Sequence, residues 1–237
     1  MTVLALLFWA LAAPAGAVEG PSYAVGTSLA AGSGGYWRFG LSGDGQWPAP
    51  PWLPYAWTEF GLNPYANRLS LGGGTWRDAG PDLRVKGGLS FSVGRYRDAD
   101  TSARSVTFET GVERDLESGA AGAEYLLTSG SLGARRVTTV GEVNRGGQLK
   151  RARTAVVEAP TFTDHTLAAY GRVPLRDTSL GLRVALDILS DSEDVLSETL
   201  SWRVPAAEDV WVTPALTLEQ SRSPAVIASL ALSRVFD

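Results

Sequence analysis

From Leu83 to Val93 the chain changes character at every step. Leu83, Val85, Leu89, Phe91 and Val93 alternate with Arg84, Lys86, Gly88, Ser90 and Ser92. A strand points successive side chains to opposite faces, so this segment has one apolar and one polar face. The same two-residue rhythm returns, with turn residues between the runs, almost to the last residue. It never gives way to a helical period, so the chain is read as all-β and antiparallel.

Further runs follow this one. Val106, Phe108 and Val112 share a face, as do Ala121, Ala123, Tyr125 and Leu127. Val137 to Val143 forms a less regular run, and in the next Leu149, Ala155 and Val157 share a face with Arg151 and Arg153. Leu167 to Leu175, Leu180 to Ile188, Leu196 to Val204, Val210 to Leu218 and Ala228 to Phe236 complete the series, with Glu198 on an otherwise apolar face. Gly-, Asp- and Ser-rich breaks separate them, including Gly146-Gly147, Thr163-Asp164 and Arg176-Asp177. From run to run the spacing is about 14–16 residues, which suits a membrane strand of ~9–11 residues plus a turn.

The segment before Leu83 is less regular. Tyr23–Ala31 and Tyr36–Leu41 are expected to form a hairpin, and Trp57–Leu62 pairs naturally with Leu69–Trp76. The stretch from Gln46 to Pro54 is rich in proline, which argues against a central strand there. About ten strands after residue 80 and two to four before it give an expected total of twelve, bounded by ten and fourteen, because single-chain bacterial barrels have even counts.

Val3 to Ala13 is an apolar run, broken by Pro14 and followed by Ala15-Gly16-Ala17. That is the pattern of a secretory signal peptide over residues 1–17, with cleavage after Ala17 and a single domain over 18–237. The run is too short for a retained spanning helix. There is no Cys, so neither disulfides nor cysteine-ligated metals are available. The net charge of −4, from 21 basic and 25 acidic residues spread along the chain, gives no basic stripe of the kind that binds nucleic acid. Eight Trp are numerous for this length, and Trp and Tyr suit a membrane–water boundary.

With these runs, the signal and the last strand in view, the chain resembles the bacterial outer-membrane β-barrel proteins as a class. In those proteins the last strand ends in an aromatic residue preceded by alternating apolar residues, which the barrel assembly machinery reads. Phe236, Leu232, Leu230 and Ala228 look like that signal, although Arg234 interrupts the series and Asp237 follows it. The resemblance implies a closed antiparallel up-and-down transmembrane barrel, exported to the outer membrane of a Gram-negative-type cell. Its partners would be outer-membrane lipid and lipopolysaccharide, the assembly machinery and small solutes. In such a barrel Arg84, Lys86, Glu109, Arg183, Asp187 and Arg203 would project into the lumen, some as opposite-charge pairs. The alternation of any one strand equally suits a soluble β-sandwich or barrel with its apolar face inward.

Chemistry is sparse. The lone His165 follows Asp164 in an expected turn, and adjacent residues in a strand could not act on one face. No nucleophile elbow, phosphate loop or zinc motif is present, and no motif asks for a cofactor. Gly72-Gly73-Gly74 reads as a close-packed stretch of strand. Glu113, Asp115 and Glu117 read as the solvated end of a hairpin before a cation site. Arg135-Arg136 and Lys150 to Arg153 could face lipopolysaccharide phosphates or lie on a solvated face. No long loop is expected beyond the Trp/Pro-rich stretch near 44–56. The expected role is non-enzymatic: a structural barrel or a narrow passive pore. The alternatives are an enzyme or accessory protein of envelope lipid or polysaccharide export, and a secreted soluble barrel that binds a small ligand.

Overall fold

A computed structural model describes residues 21–96, 101–133, 135–140, 152–157, 160–190, 192–221 and 224–236. The expected signal peptide and the Gly146-Gly147 break lie outside these residues. Fourteen strands are formed: β1 (Ser22–Gly32), β2 (Trp37–Gln46), β3 (Trp52–Leu62), β4 (Ala66–Asp78), β5 (Leu83–Tyr96), β6 (Thr101–Leu116), β7 (Gly119–Leu132), β8 (Arg135–Val140), β9 (Ala152–Val157), β10 (Thr161–Leu175), β11 (Thr178–Ile188), β12 (Val195–Ala207), β13 (Val210–Gln220) and β14 (Ala225–Phe236). Twelve of them close into an antiparallel up-and-down barrel, each hydrogen-bonded to its neighbour in sequence except where β7 pairs with β10. The seam is β1 against β14, from Tyr23 opposite Phe236 to Gly32 opposite Ile227. Closure leaves the barrel itself with no edge strand.

Both ends of the barrel sequence, Ser22 and Phe236, lie at one end of the barrel, here called the terminal end. The connections there are short: 47–51, 79–82, 117–118, 176–177 and 208–209. At the opposite, loop end the connection from β7 to β10 carries β8 and β9, which pair only with each other.

Burial is inverted relative to a soluble protein. Among the described residues the buried hydrophobic ones are four alanines, Ala24, Ala120, Ala168 and Ala185. The buried polar residues include Ser70, Ser92, Thr107, Thr213 and Ser233, together with Glu109 and Arg203. Leucines of the strands are turned outward: Leu89 is 59% exposed, Leu71 54%, Leu182 52% and Leu230 51%. Tyr23 and Trp47 meet edge to face near the terminal end of this surface. Alternation, closure and inverted burial together settle which face is which, a question a single strand leaves open.

The twelve-strand total agrees with the sequence expectation, but its membership differs. The runs at Val137–Val143 and Leu149–Val157 are not barrel strands. Their described parts are the hairpin β8–β9, so four strands before residue 80 and eight after it make the barrel. That hairpin also supplies the long loop-end insertion that the sequence was not expected to contain. Pro54 lies inside β3, opposite Thr75, and its carbonyl accepts from the Trp47 amide at 2.9 Å. A proline near a strand start forfeits one ladder bond without ending the strand, so the Trp/Pro-rich stretch divides into the end of β2, a turn and the start of β3.

Candidate functional site: the barrel lumen

Inward positions on neighbouring strands form rows along the backbone hydrogen bonds, and three rows organise the polar interior. In the first, Tyr55, Gly74, Gly88 and Glu109 are successive partners on β3, β4, β5 and β6. The Tyr55 hydroxyl donates to the Glu109 carboxylate across the two intervening strands. Only glycine allows this: a Cβ at Gly88 would stand 2.6 Å from both the hydroxyl and the carboxylate, and one at Gly74 would stand 2.7 Å from the hydroxyl.

The second row is Trp76, Lys86, Gly111 and Glu124. Lys86 reaches over Gly111, placing its Nζ 3.7 Å from Glu124 Oε2 and 3.1 Å from Glu109 Oε2. The Trp76 ring lies 5.6 Å from the same ammonium. The third row is Arg84, Glu113, Gly122, Tyr170 and Arg183. Tyr170 lies over Gly122, and its hydroxyl donates to Glu113 Oε2 at 3.1 Å. Arg84 bonds Glu113 Oε1 at 2.5 Å and Asp115 at 3.4 Å. Arg183 Nη2 bonds Glu124 Oε1 at 2.8 Å.

Contacts between strands two or three apart can form only on the concave side of a closed sheet. The lumen wall from β3 to β11 is therefore a braced network of three bases, four carboxylates and two phenols. Each carboxylate of the network has a cationic partner, and charge-assisted bonds of this kind are stronger than neutral ones. Arg38 and Glu59 form a further pair towards the loop end.

Of the residues expected from sequence in the lumen, Arg84, Lys86, Glu109 and Arg183 are members of this network. Asp187 stands apart from it and accepts a bond from Thr166 at 2.5 Å. Arg203 lies on β12 with its guanidinium 4.3 Å from the Trp211 ring centroid. Sequence reasoning missed Tyr55, Tyr170, Glu124 and Trp76. Glu113 is not a solvated hairpin end: it sits in β6 against Arg84 with its side chain 13% exposed, whereas Asp115, also bonded by Arg84, is 44% exposed next to the turn. The signal that could have found Tyr55 and Tyr170 is the glycine at an inward position of the next run.

Asp164 and His165 lie within β10, not in a turn. His165 shares the outward face with Leu167, and its Nδ1 is 2.8 Å from the Tyr125 hydroxyl. Asp164 faces the other way and accepts from the Ser190 amide and hydroxyl at 2.9 and 3.0 Å. The two cannot act on one substrate atom. Among the described residues no group of three or more His, Asp or Glu side chains is arranged to hold a metal. The geometry offers a polar, charged wall to water and solutes.

No family model matches the chain, and no curated protein matches it. Solved structures do. The translocator domain of the autotransporter NalP from Neisseria meningitidis is 14% identical, with 91% of this chain and 88% of that chain covered, at a TM-score of 0.58. The KdgM porin is 9% identical, with 90% and 99% covered, at 0.59. The NanC porin is 9% identical, with 89% and 98% covered, at 0.60. Identity this low speaks to fold alone, and the fold is that of the bacterial outer-membrane β-barrels.

Proposed function

We propose that the chain is an integral outer-membrane β-barrel of a Gram-negative-type bacterium, exported through a signal peptide cleaved after Ala17. Its role is non-enzymatic: a structural barrel or a narrow passive pore for small solutes. The observation that carries this reading is the inverted burial. Leucine, valine and phenylalanine cover the outside, while serine, threonine and paired charges fill the inside. Water outside would oppose that arrangement, and hydrocarbon outside would favour it. The fold shared with two porins supports the pore side of the reading. The braced wall supports the narrowness, since Tyr55, Lys86 and Tyr170 lie across the interior surface where a wide channel would be bare.

Two measurements test it. Unheated detergent gels should show a compact band that converts to a slower one on boiling. Planar bilayers should then show small ohmic steps if the barrel conducts, or silence if it is a closed scaffold. A processed chain recovered as a stable monomer without detergent would overturn the membrane reading. Hydrolysis of lipid by the purified barrel would overturn the non-enzymatic one.

A further inference from the structure

The seam and the braced network stand on opposite sides of the lumen. β1 and β7 are six places apart around the ring in either direction, and so are β14 and β6. Glu109, Glu113 and Glu124 lie on β6 and β7. Facing them, the inward positions of β1 and β14 hold only Gly, Ala, Ser, Val and Ile. Twelve strands spaced ~4.8 Å apart and tilted ~40° set opposite backbones about 24 Å apart. Long side chains on one wall therefore push the free space towards the other.

Solvent reaches the two walls unequally, and alanine shows it with no change of side chain. On the network side Ala168 and Ala185 point inward and are buried. The Arg183–Glu124 bond spans β10, the strand that carries Ala168. On the seam side Ala30, Ala215 and Ala231 point inward and are partly exposed, as are Ser28 and Ser229. Ala215, Ser229 and Ala30 are successive partners on β13, β14 and β1, and Ser28 is opposite Ala231. Towards the terminal end the same wall is covered: Ala24, Thr213 and Ser233 are buried. Trp211 is the inward partner of Ser233, and the Arg203 guanidinium lies over its ring at 4.3 Å.

We propose that solutes cross the barrel off its axis, along the inner face of the seam, and that Trp211 with Arg203 stacked on it forms the narrowest point. The inference rests on the pore reading. A hydrated solute follows the widest free space, and that space lies where the wall is built of alanine, serine and glycine. The hydroxyls of Ser28 and Ser229 can replace part of its water there. The network carboxylates are engaged by Arg84, Lys86 and Arg183, so they hold the far wall in shape instead of offering a track. The long part of the route therefore selects small polar solutes by size.

The chain has no cysteine, so a single introduced thiol is the only one a reagent can find. Ser28→Cys and Ser229→Cys are compared with Ala168→Cys and Ala185→Cys, each as a folded barrel in a phosphatidylcholine bilayer. A negatively charged, water-soluble thiosulfonate is added during conductance recording. The two seam thiols should react about tenfold faster than the two network ones, since reactivity follows access. Each seam adduct should cut the conductance step by about half, because its bulk enters the bore. Trp211→Ala should enlarge the step about twofold. Arg203→Gln replaces it as the probe if Trp211→Ala loses its heat-modifiable band. Equal rates at all four positions overturn the inference and leave a pore with another route. So does complete modification at the seam with no change in step. An unchanged step in the variant of the Trp211–Arg203 pair overturns its place as the narrowest point. A wild-type barrel that floats with vesicles but stays electrically silent overturns the inference and leaves the closed scaffold standing. Wild-type protein that stays out of every bilayer defeats the membrane reading itself.

Discussion

The Tyr55 hydroxyl on β3 meets the Glu109 carboxylate on β6, and the phenol crosses two strands to reach it because both strands present glycine beneath the ring. The contact ties together strands that share no ladder. Gly88→Val should push the ring off the wall and destabilise the barrel by about 1–3 kcal/mol, the usual cost of overpacking. Thermal conversion of the compact gel band reads this as a lower midpoint. In a Tyr55→Ala background the same valine should cost less, because the contact with the hydroxyl is then gone while those with Glu109 and the Gly73 carbonyl remain. Equal losses in both backgrounds would mean that Gly88 is required for some other reason.

Lys86 is shared by two carboxylates, Glu109 and Glu124. Lys86→Met leaves them supported by Tyr55 and Arg183 alone. The expected loss is about 1–3 kcal/mol, below the range for a fully buried pair because the lumen is polar. Lys86→Met/Glu109→Gln should recover part of it. A denaturant titration in micelles measures both variants. Recovery of nothing would show that the ammonium acts through packing on Trp76 rather than through charge.

Strand identity was legible from the sequence because an apolar-out, polar-in wall writes its period into every run. Strand membership was not. The hairpin β8–β9 alternates as a barrel strand does, and only pairing with distant strands tells the two apart. Thr163-Asp164 looked like a break because polar residues end most runs. Here they begin a fifteen-residue strand, and Asp164 is turned inward to bond Ser190. Arg84 and Glu109 were readable as inward by parity alone. Their partners were not, because Glu124 and Tyr55 come within reach only when the sheet curves and glycine opens the row between.

The β8–β9 insertion should be dispensable for closure. β7 and β10 pair directly from Thr161 opposite Ser131 to Arg172 opposite Ala120, and the Leu132 amide bonds the Pro160 carbonyl at 3.0 Å. Replacing residues 135–157 with a short Gly/Ser linker lengthens or shortens a loop at little entropic cost. The variant should refold in micelles with a heat-modifiable band and a conversion midpoint close to the parent. Failure to close would show that the arm is needed to bring β7 and β10 together.

Tyr36 lies in the loop-end connection between β1 and β2, and burial holds its phenol above the ordinary value, with Arg38 opposing and Glu219 adding to the rise. The folded state therefore keeps the proton longer than the unfolded chain does. Stability from this group is complete below the unfolded value near 10 and is lost as pH rises towards the folded one. Tyr36→Phe should flatten that alkaline loss. Absorbance at 295 nm, compared between the parent and this variant, should assign to Tyr36 a phenol that ionises late. A Tyr36 signal at the ordinary phenol position would remove the basis for the prediction.

Phe236 stands opposite Tyr23 at the seam and is 42% exposed, with the Arg234 guanidinium 5.0 Å from the ring centroid. Arg234 breaks the apolar series of the last strand, yet stacking along the ring carries its charge towards the terminal-end rim, so the interruption costs the outward surface little. If the last strand is an assembly signal, Phe236→Ala should separate folding from assembly. In micelles the loss should be under about 1 kcal/mol, as for an exposed side chain. In cells the amount of heat-modifiable barrel should fall about tenfold, the effect of losing ~1.4 kcal/mol of recognition. Arg234→Leu restores the uninterrupted series and should assemble at least as well as the parent. Normal assembly of Phe236→Ala in cells would mean that closure at the seam, through the ladder from Tyr23 to Gly32, is sufficient without a terminal aromatic.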